Sequence, residues 1–404
     1  MVRKRFIPIF VMFVVLGTIQ VFSSSPAFPA EEVKLGFAYP ISGPAAQTGE
    51  EGMRGGQMAV KEINDAGGIT VGGKKYLIKL IVEDSEYSTA KAVSAVNKLI
   101  FQDGVKWVGI QGTPAFLASR GVTEPAKVIL TGLASIRDVL SPKTPYTFRT
   151  SVGAEARTPI QQVWLSENRP TVKRIGLIFA DTQIAKEMVE TLNRTCPKVG
   201  QEFVATELHD PATQDFSAIL TRTMPKKPDG IVINLATKGI GPMIKQSREM
   251  GFKGIFIGAG VMPGELPDLA GKQNMEGTLL LTPDVKSSVT PKGVRDFYDR
   301  FRSKYSVEPG ESGLTGYLDV QIFAQTLEKS GKVDDTDAWK STLETQKFNT
   351  IWGEVYFGMK DFYGIGHQIM IPLLITEYKD GGLRGIGIVK PDKISEIMAR
   401  IWGK

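Results

Sequence analysis

From Val33 onward the chain alternates short apolar runs with stretches of helical periodicity, and this constrains the fold more than any other feature. A helix between two strands carries the chain back to the end of the sheet where it began. The strands then run parallel, with helices on both faces. Residues 33–39 read as the first strand, and 51–66 as a helix with Met53, Val60 and Ile63 on one face, closed by Gly67-Gly68. Strand 77–82, helix 89–103, strand 106–110, helix 115–126 and strand 128–131 follow.

The rhythm breaks at 141–153, where Pro142 and Pro145 fall, and a domain boundary is expected there. A second set then runs through helix 154–168, strand 174–179, helix 186–192, strand 203–207, helix 216–223, strand 230–234, helix 242–250 and strand 254–257. The pattern predicts two similar α/β lobes, and 404 residues agree with two domains. After Pro283 come three helical patterns, 291–305, 313–330 and 337–344, with too few strands for a third domain. They are expected to return and complete the first lobe. Segments 371–378 and 383–389 flank Lys379-Asp380-Gly381-Gly382, whose Asp-Gly signals a hairpin.

Composition excludes several function classes. Cys196 is the single cysteine, so neither a disulfide framework nor a four-cysteine zinc site can form, and it reads as a small buried hydrophobe. His209 and His367 are the two histidines, too few for a His-rich metal site. Gly258-Ala259-Gly260-Val261-Met262-Pro263 imitates a dinucleotide fingerprint but carries Pro263 where the third glycine belongs. Neighbouring acids such as Glu83-Asp84 and Asp334-Asp335 read as charged surface. No catalytic residue, metal or cofactor is expected.

The first thirty residues read as a secretory signal peptide: a basic start at Arg3, Lys4 and Arg5, an apolar run over 6–16, and a small, Pro-broken stretch over 23–30. Cleavage after Ala27 or after Ala30 are both open. The apolar run is shorter than the roughly 20 residues of a membrane span. Loss of this segment takes the formal charge from +6 to +3, with no dense basic block and hence no nucleic-acid footprint. The segment holds no cysteine for a lipid, so a released periplasmic protein is expected.

Taken in order, the residues resemble the solute-binding proteins of branched-chain amino acid ABC importers, the leucine-binding type of type I periplasmic binding protein. The resemblance rests on Ser42-Gly43-Pro44, on Gly55, Ala59, Asn64 and Gly67-Gly68-Ile69, and on Asp103-Gly104-Val105. It continues through Phe148-Arg149-Thr150, Asp215-Phe216-Ser217, Pro228-Asp229, Gly316-Tyr317, and Gly353 with Phe357. It implies two doubly wound Rossmann-like lobes with parallel sheets, joined by a three-stranded hinge, with a small ligand trapped between them. The chain would cross near Gly153, Pro283 and Trp352. Residues 31–153 plus 284–352 would form one lobe, and 154–283 plus 353–404 the other. An inner-membrane ABC permease is the implied partner. A periplasmic sensor of the same fold is the alternative.

Ligands of open α/β sheets sit beyond the carboxyl ends of strands. Gln111-Gly112-Thr113-Pro114 is one such loop, with Thr113 suited as helix N-cap and Pro114 as first helical residue. Gly132-Leu133-Ala134-Ser135 is the other. The resemblance implies that Gly112, Thr113, Leu133, Ala134 and Ser135 hold a ligand carboxylate, and that Thr48, after the first strand, lines the wall. In the second lobe, amino-acid-binding relatives place aromatics where this chain has Ile184 and Ala236, and an ammonium-binding glutamate where it has Gly260. Burying an unpaired ammonium costs several kcal/mol. The expected ligand is therefore a small aromatic or aliphatic carboxylate or amide; a standard amino acid would need Asp181 or Glu265 to replace the missing acid.

Overall fold

The computed structural model describes residues 31–235, 239–260, 262 and 265–403. The expected signal segment lies outside them, as does Ala236. Strands β1 (Glu31–Tyr39), β2 (Ile69–Val71), β3 (Lys74–Asp84), β4 (Trp107–Gln111) and β5 (Ile129–Leu133) form a five-stranded sheet in the order β2-β3-β1-β4-β5. All pairings are parallel except that of β2, which turns back on β3. Leu35, Phe37, Ala38 and Tyr39 of β1 are all fully buried, as a strand covered on both faces requires.

The helices Ala46–Asp65 and Glu311–Ser330 cross this sheet in contact with one another. Their approach is set by glycine: a Cβ on Gly55 would stand 2.1 Å from the Gly313 oxygen, and one on Gly316 would stand 2.1 Å from the Gly52 oxygen. Phe297 and Phe301 of the helix Lys292–Tyr305 are fully buried, with Phe297 edge-on to Tyr317, so the helices after Pro283 do return to the first sheet.

Strands β6 (Arg174–Ala180), β7 (Glu202–His209), β8 (Gly230–Asn234), β9 (Ile255–Ala259) and β10 (Leu279–Leu280) build the second sheet, all in parallel. A small antiparallel sheet follows, of β11 (Lys347–Thr350), β12 (Gly353–Gly358) and β13 (Gln368–Met370). Then β14 (Leu373–Lys379) and β15 (Gly382–Val389) add an antiparallel edge, giving the order β15-β14-β10-β9-β8-β6-β7. Their turn is the Asp-Gly hairpin: Asp380 and Gly381 both have positive φ, 50° and 76°.

The crossing expected at Trp352 is corrected by the strand pairing. Trp352 lies in the tight turn between β11 and β12, and β12 pairs onward with β13, so this stretch stays with the small sheet. The passage to the second sheet comes at Ile371–Pro372, between β13 and β14. Strands β2 and β11–β13 and the helix Pro391–Trp402 were not anticipated from the sequence.

Candidate functional site

The loops after β4 and β5 meet. The Gly112 N–H donates to the Leu133 carbonyl (3.1 Å), and the Ser135 N–H donates to Thr113 Oγ1 (3.0 Å). The Ser151 hydroxyl lies 3.1 Å from the Ala134 nitrogen and 3.2 Å from its oxygen, while the Ser135 carbonyl accepts from Ala154 N–H. The five residues Gly112, Thr113, Leu133, Ala134 and Ser135 therefore form one hydrogen-bonded corner at the carboxyl end of the first sheet. It stands at the start of the helix Thr113–Thr123, where the first N–H groups have no intrahelical acceptor.

Two details differ from expectation. Gly112, not Thr113, is the N-cap: its φ of 97° is open to glycine and strained for other residues, so the cap falls one residue earlier. Thr113 is buried, and its hydroxyl oxygen is turned to Ser135 rather than to its own helix. Thr48 lies in the first turn of the helix Ala46–Asp65 rather than in a loop, and is exposed.

In the second half, Ile184 is half-buried in the first turn of the helix Gln183–Lys198, which Thr182 caps through Ala185 N–H. Gly260 follows β9 with φ 117°, and among the described residues nothing lies within 4 Å of where its Cβ would be. Asp181 and Glu265 are both exposed. Among the described residues, Thr150, Ser151, Leu281, Pro283, Ile371 and Leu373, from the three connecting segments, line one cavity of about 50 Å³. Typical ligand pockets are several times larger; this is the floor where the halves join.

A model of the family described as periplasmic binding protein matches residues 32–382. The chain belongs to that family, in its leucine-binding type. It is 25% identical over 340 residues to a leucine-, isoleucine-, valine-, threonine- and alanine-binding protein of Pseudomonas aeruginosa, covering 83% of this chain and 88% of the relative. The closed form of the protein of that description from Brucella ovis superposes with a TM-score of 0.78 at 19% identity, over 90% of this chain and 96% of that one. A solute-binding protein of an ABC transporter from R. palustris, in complex with benzoate, gives a TM-score of 0.73 at 19% identity, over 89% and 97%. Periplasmic binding proteins of this kind hold small molecules rather than transform them. Among the described residues no helix is long and apolar enough to cross a membrane.

Three features of this periplasmic binding protein escaped the sequence reading. Arg149 is fully buried where the halves join. It donates to Gln368 Oε1 (2.6 Å), the Ile136 carbonyl (2.8 Å), Glu155 Oε1 (2.5 Å) and the Tyr363 hydroxyl (2.6 Å). Arg157, two residues beyond Glu155, pairs instead with Glu311 at the start of the helix Glu311–Ser330. Glu51 accepts from the Gly310 N–H; burial pushes its carboxyl up to about 7, the Gly310 hydrogen bond opposes, and the charge of Glu265 adds to the rise. The like charge that reaches Glu51 thus comes from Glu265 on the other half. Arginines and glutamates spread through a sequence carry no local signal of such partners.

Proposed function

We propose that this chain is the extracytoplasmic receptor of an ABC importer of the branched-chain amino acid type. On this reading it is exported into the periplasm by a cleaved signal segment and docks on an inner-membrane permease. The lobes are 31–153 with 284–370, and 154–283 with 371–403. The ligand is a small carboxylate or amide whose polar end meets Gly112, Thr113 and Ser135 and whose apolar body faces Ile184 and the Gly260 turn. Closure is favoured by the extra contacts that the ligand makes when the lobes come together.

The observation that supports this reading is the hydrogen-bonded corner at the start of the helix Thr113–Thr123; in the second lobe the turn after β9 carries Gly260, which offers no carboxylate. Family relatives bind branched-chain amino acids or benzoate, which brackets the ligand class without fixing it. Thr113→Val removes the acceptor of Ser135 N–H and the hydroxyl offered to the ligand. It is expected to weaken uptake-competent binding by about 1–2 kcal/mol, read by calorimetry against benzoate, isovalerate, leucine and valine. Leucine bound more tightly than either simple acid would overturn the assignment of a ligand without an ammonium group.

A further inference from the structure

The loop after β3 opens on the same carboxyl edge of the first sheet as the loops after β4 and β5, yet neither the family resemblance nor the site described above assigns it a role. It contains Glu86 and Tyr87, two consecutive non-glycine residues with left-handed backbone, at φ 47° and 57°. Bulky side chains seldom adopt this region, and such a conformation persists only where the surroundings hold it. Here they do. The Asp84 carboxylate accepts from the N–H groups of Ile41, Ser42 and Glu86 and from the Ser42 hydroxyl. Ser88 N–H donates to the Ser85 carbonyl, and the Ser88 hydroxyl caps the helix Thr89–Phe101. Glu86 is ion-paired with Lys91.

What this scaffold presents is an aromatic ring. Tyr87 is 59% exposed, and among the described residues nothing hydrogen-bonds its hydroxyl. Among the described residues the only other strongly exposed aromatic ring is Phe101, at the opposite end of the helix Thr89–Phe101. The Tyr87 ring lies against Gly112: a Cβ built there would stand 3.6 Å from Tyr87 Cε2. Gly112 is the N-cap of the helix whose start forms the polar corner. A glycine at position 87 would adopt the same backbone without strain, so the ring is held out at a conformational cost that the turn itself does not require.

We propose that Tyr87 is a ligand-contacting, specificity-determining residue. Its ring is the first-lobe wall on which the aromatic ring of a monocarboxylate stacks while the acid group meets the helix start at Gly112 and Thr113. This rests on the cleft reading above and names its ligand class as aromatic acids. Offset stacking and the covering of an exposed ring both favour an aromatic guest over an aliphatic one of equal charge.

The test uses the full chain with benzoate and isovalerate as probes, in calorimetric titrations of the wild type, Tyr87→Phe and Tyr87→Gly, with thermal melts of each. The wild type is expected to bind benzoate more tightly than isovalerate. Tyr87→Phe should stay within about two-fold for both, whereas Tyr87→Gly should lose roughly ten-fold or more for benzoate and much less for isovalerate, with a melting temperature equal to or above that of the wild type. Equal losses for both acids would show that the ring merely props up Gly112, and would overturn the proposal while leaving the polar corner intact. Isovalerate binding without benzoate binding would overturn it in the same way. If the wild type binds neither acid, the carboxylate reading of the cleft and the Tyr87 assignment fall together.

Discussion

Glu155 and Arg157 stand two residues apart on the helix Ala154–Asn168, and each joins a Glu–Arg pair that links the two halves of the molecule. The pairs differ in their surroundings. Both side chains of Arg149–Glu155 are fully enclosed, and neighbours on β13, in the Ile136 stretch and at Tyr363 share the hydrogen bonding. In Arg157–Glu311 the side chains keep 13% and 24% of their exposure, and Arg157 has one other partner, the Val152 carbonyl. Enclosed charges cannot be separated without stranding one of them, whereas half-wet charges can trade partners with water. The first pair is therefore suited to a fixed pivot and the second to a contact that breaks and reforms as the lobes swing.

The largest effect that would sharpen this contrast is expected at the pivot. Arg149→Ala leaves Glu155 buried and unpaired and should cost about 3–5 kcal/mol, read by urea unfolding; a loss below about 1 kcal/mol would mean that the pivot behaves like a surface pair. The next effect is a pH dependence. Burial pushes the Glu187 carboxyl up to about 8, the charge of Glu155 adds to this, and the hydrogen bond from Arg137 N–H opposes it. A carboxyl raised in the folded state keeps a proton that the unfolded chain releases above about 4.3. Its contribution is complete at lower pH and is lost as pH climbs towards 8. Glu51 and Asp319, each raised to about 7 by burial first of all, act in the same direction. Unfolding free energy should thus decline between about pH 5 and 8, and Glu187→Gln should flatten that decline by roughly 1 kcal/mol or more. The smallest effect belongs to the partly exposed pair. A double-mutant cycle with Arg157→Ala and Glu311→Ala should return a coupling below about 1 kcal/mol, together with a larger radius of gyration in solution scattering of the unliganded double variant. A coupling as large as that of the pivot would erase the distinction.

Much of the fold was legible because strand and helix periodicities differ and each lobe repeats them. Helix Ala154–Asn168 and strand β8 fall where the pattern put them, and the helix Lys292–Tyr305 begins one residue later. Strands β2, β11 and β13 are three or four residues long, too short for an alternation to show. The third crossing was misplaced for the same reason: with β12 and β13 unseen, nothing held the chain back after Trp352. At the site, the sequence named the residues of the polar corner but not their bonds. That Thr113 turns to Ser135 depends on Gly112 taking a left-handed cap, and that two loops 22 residues apart touch is a property of neighbouring strands β4 and β5. Tyr87 gave no sign at all, because its backbone angles, its exposure and its place beside Gly112 exist only in the fold.

The weave of the chain also places the closing segments of both sheets late in the sequence. The first sheet waits for the helix Glu311–Ser330 to cover it. The second waits for β14, β15 and the helix Pro391–Trp402, whose Trp402 indole N–H donates to the Glu155 carbonyl. Each sheet is thus closed by segments made late, so a chain cut short ahead of Glu311 leaves both halves with apolar faces uncovered.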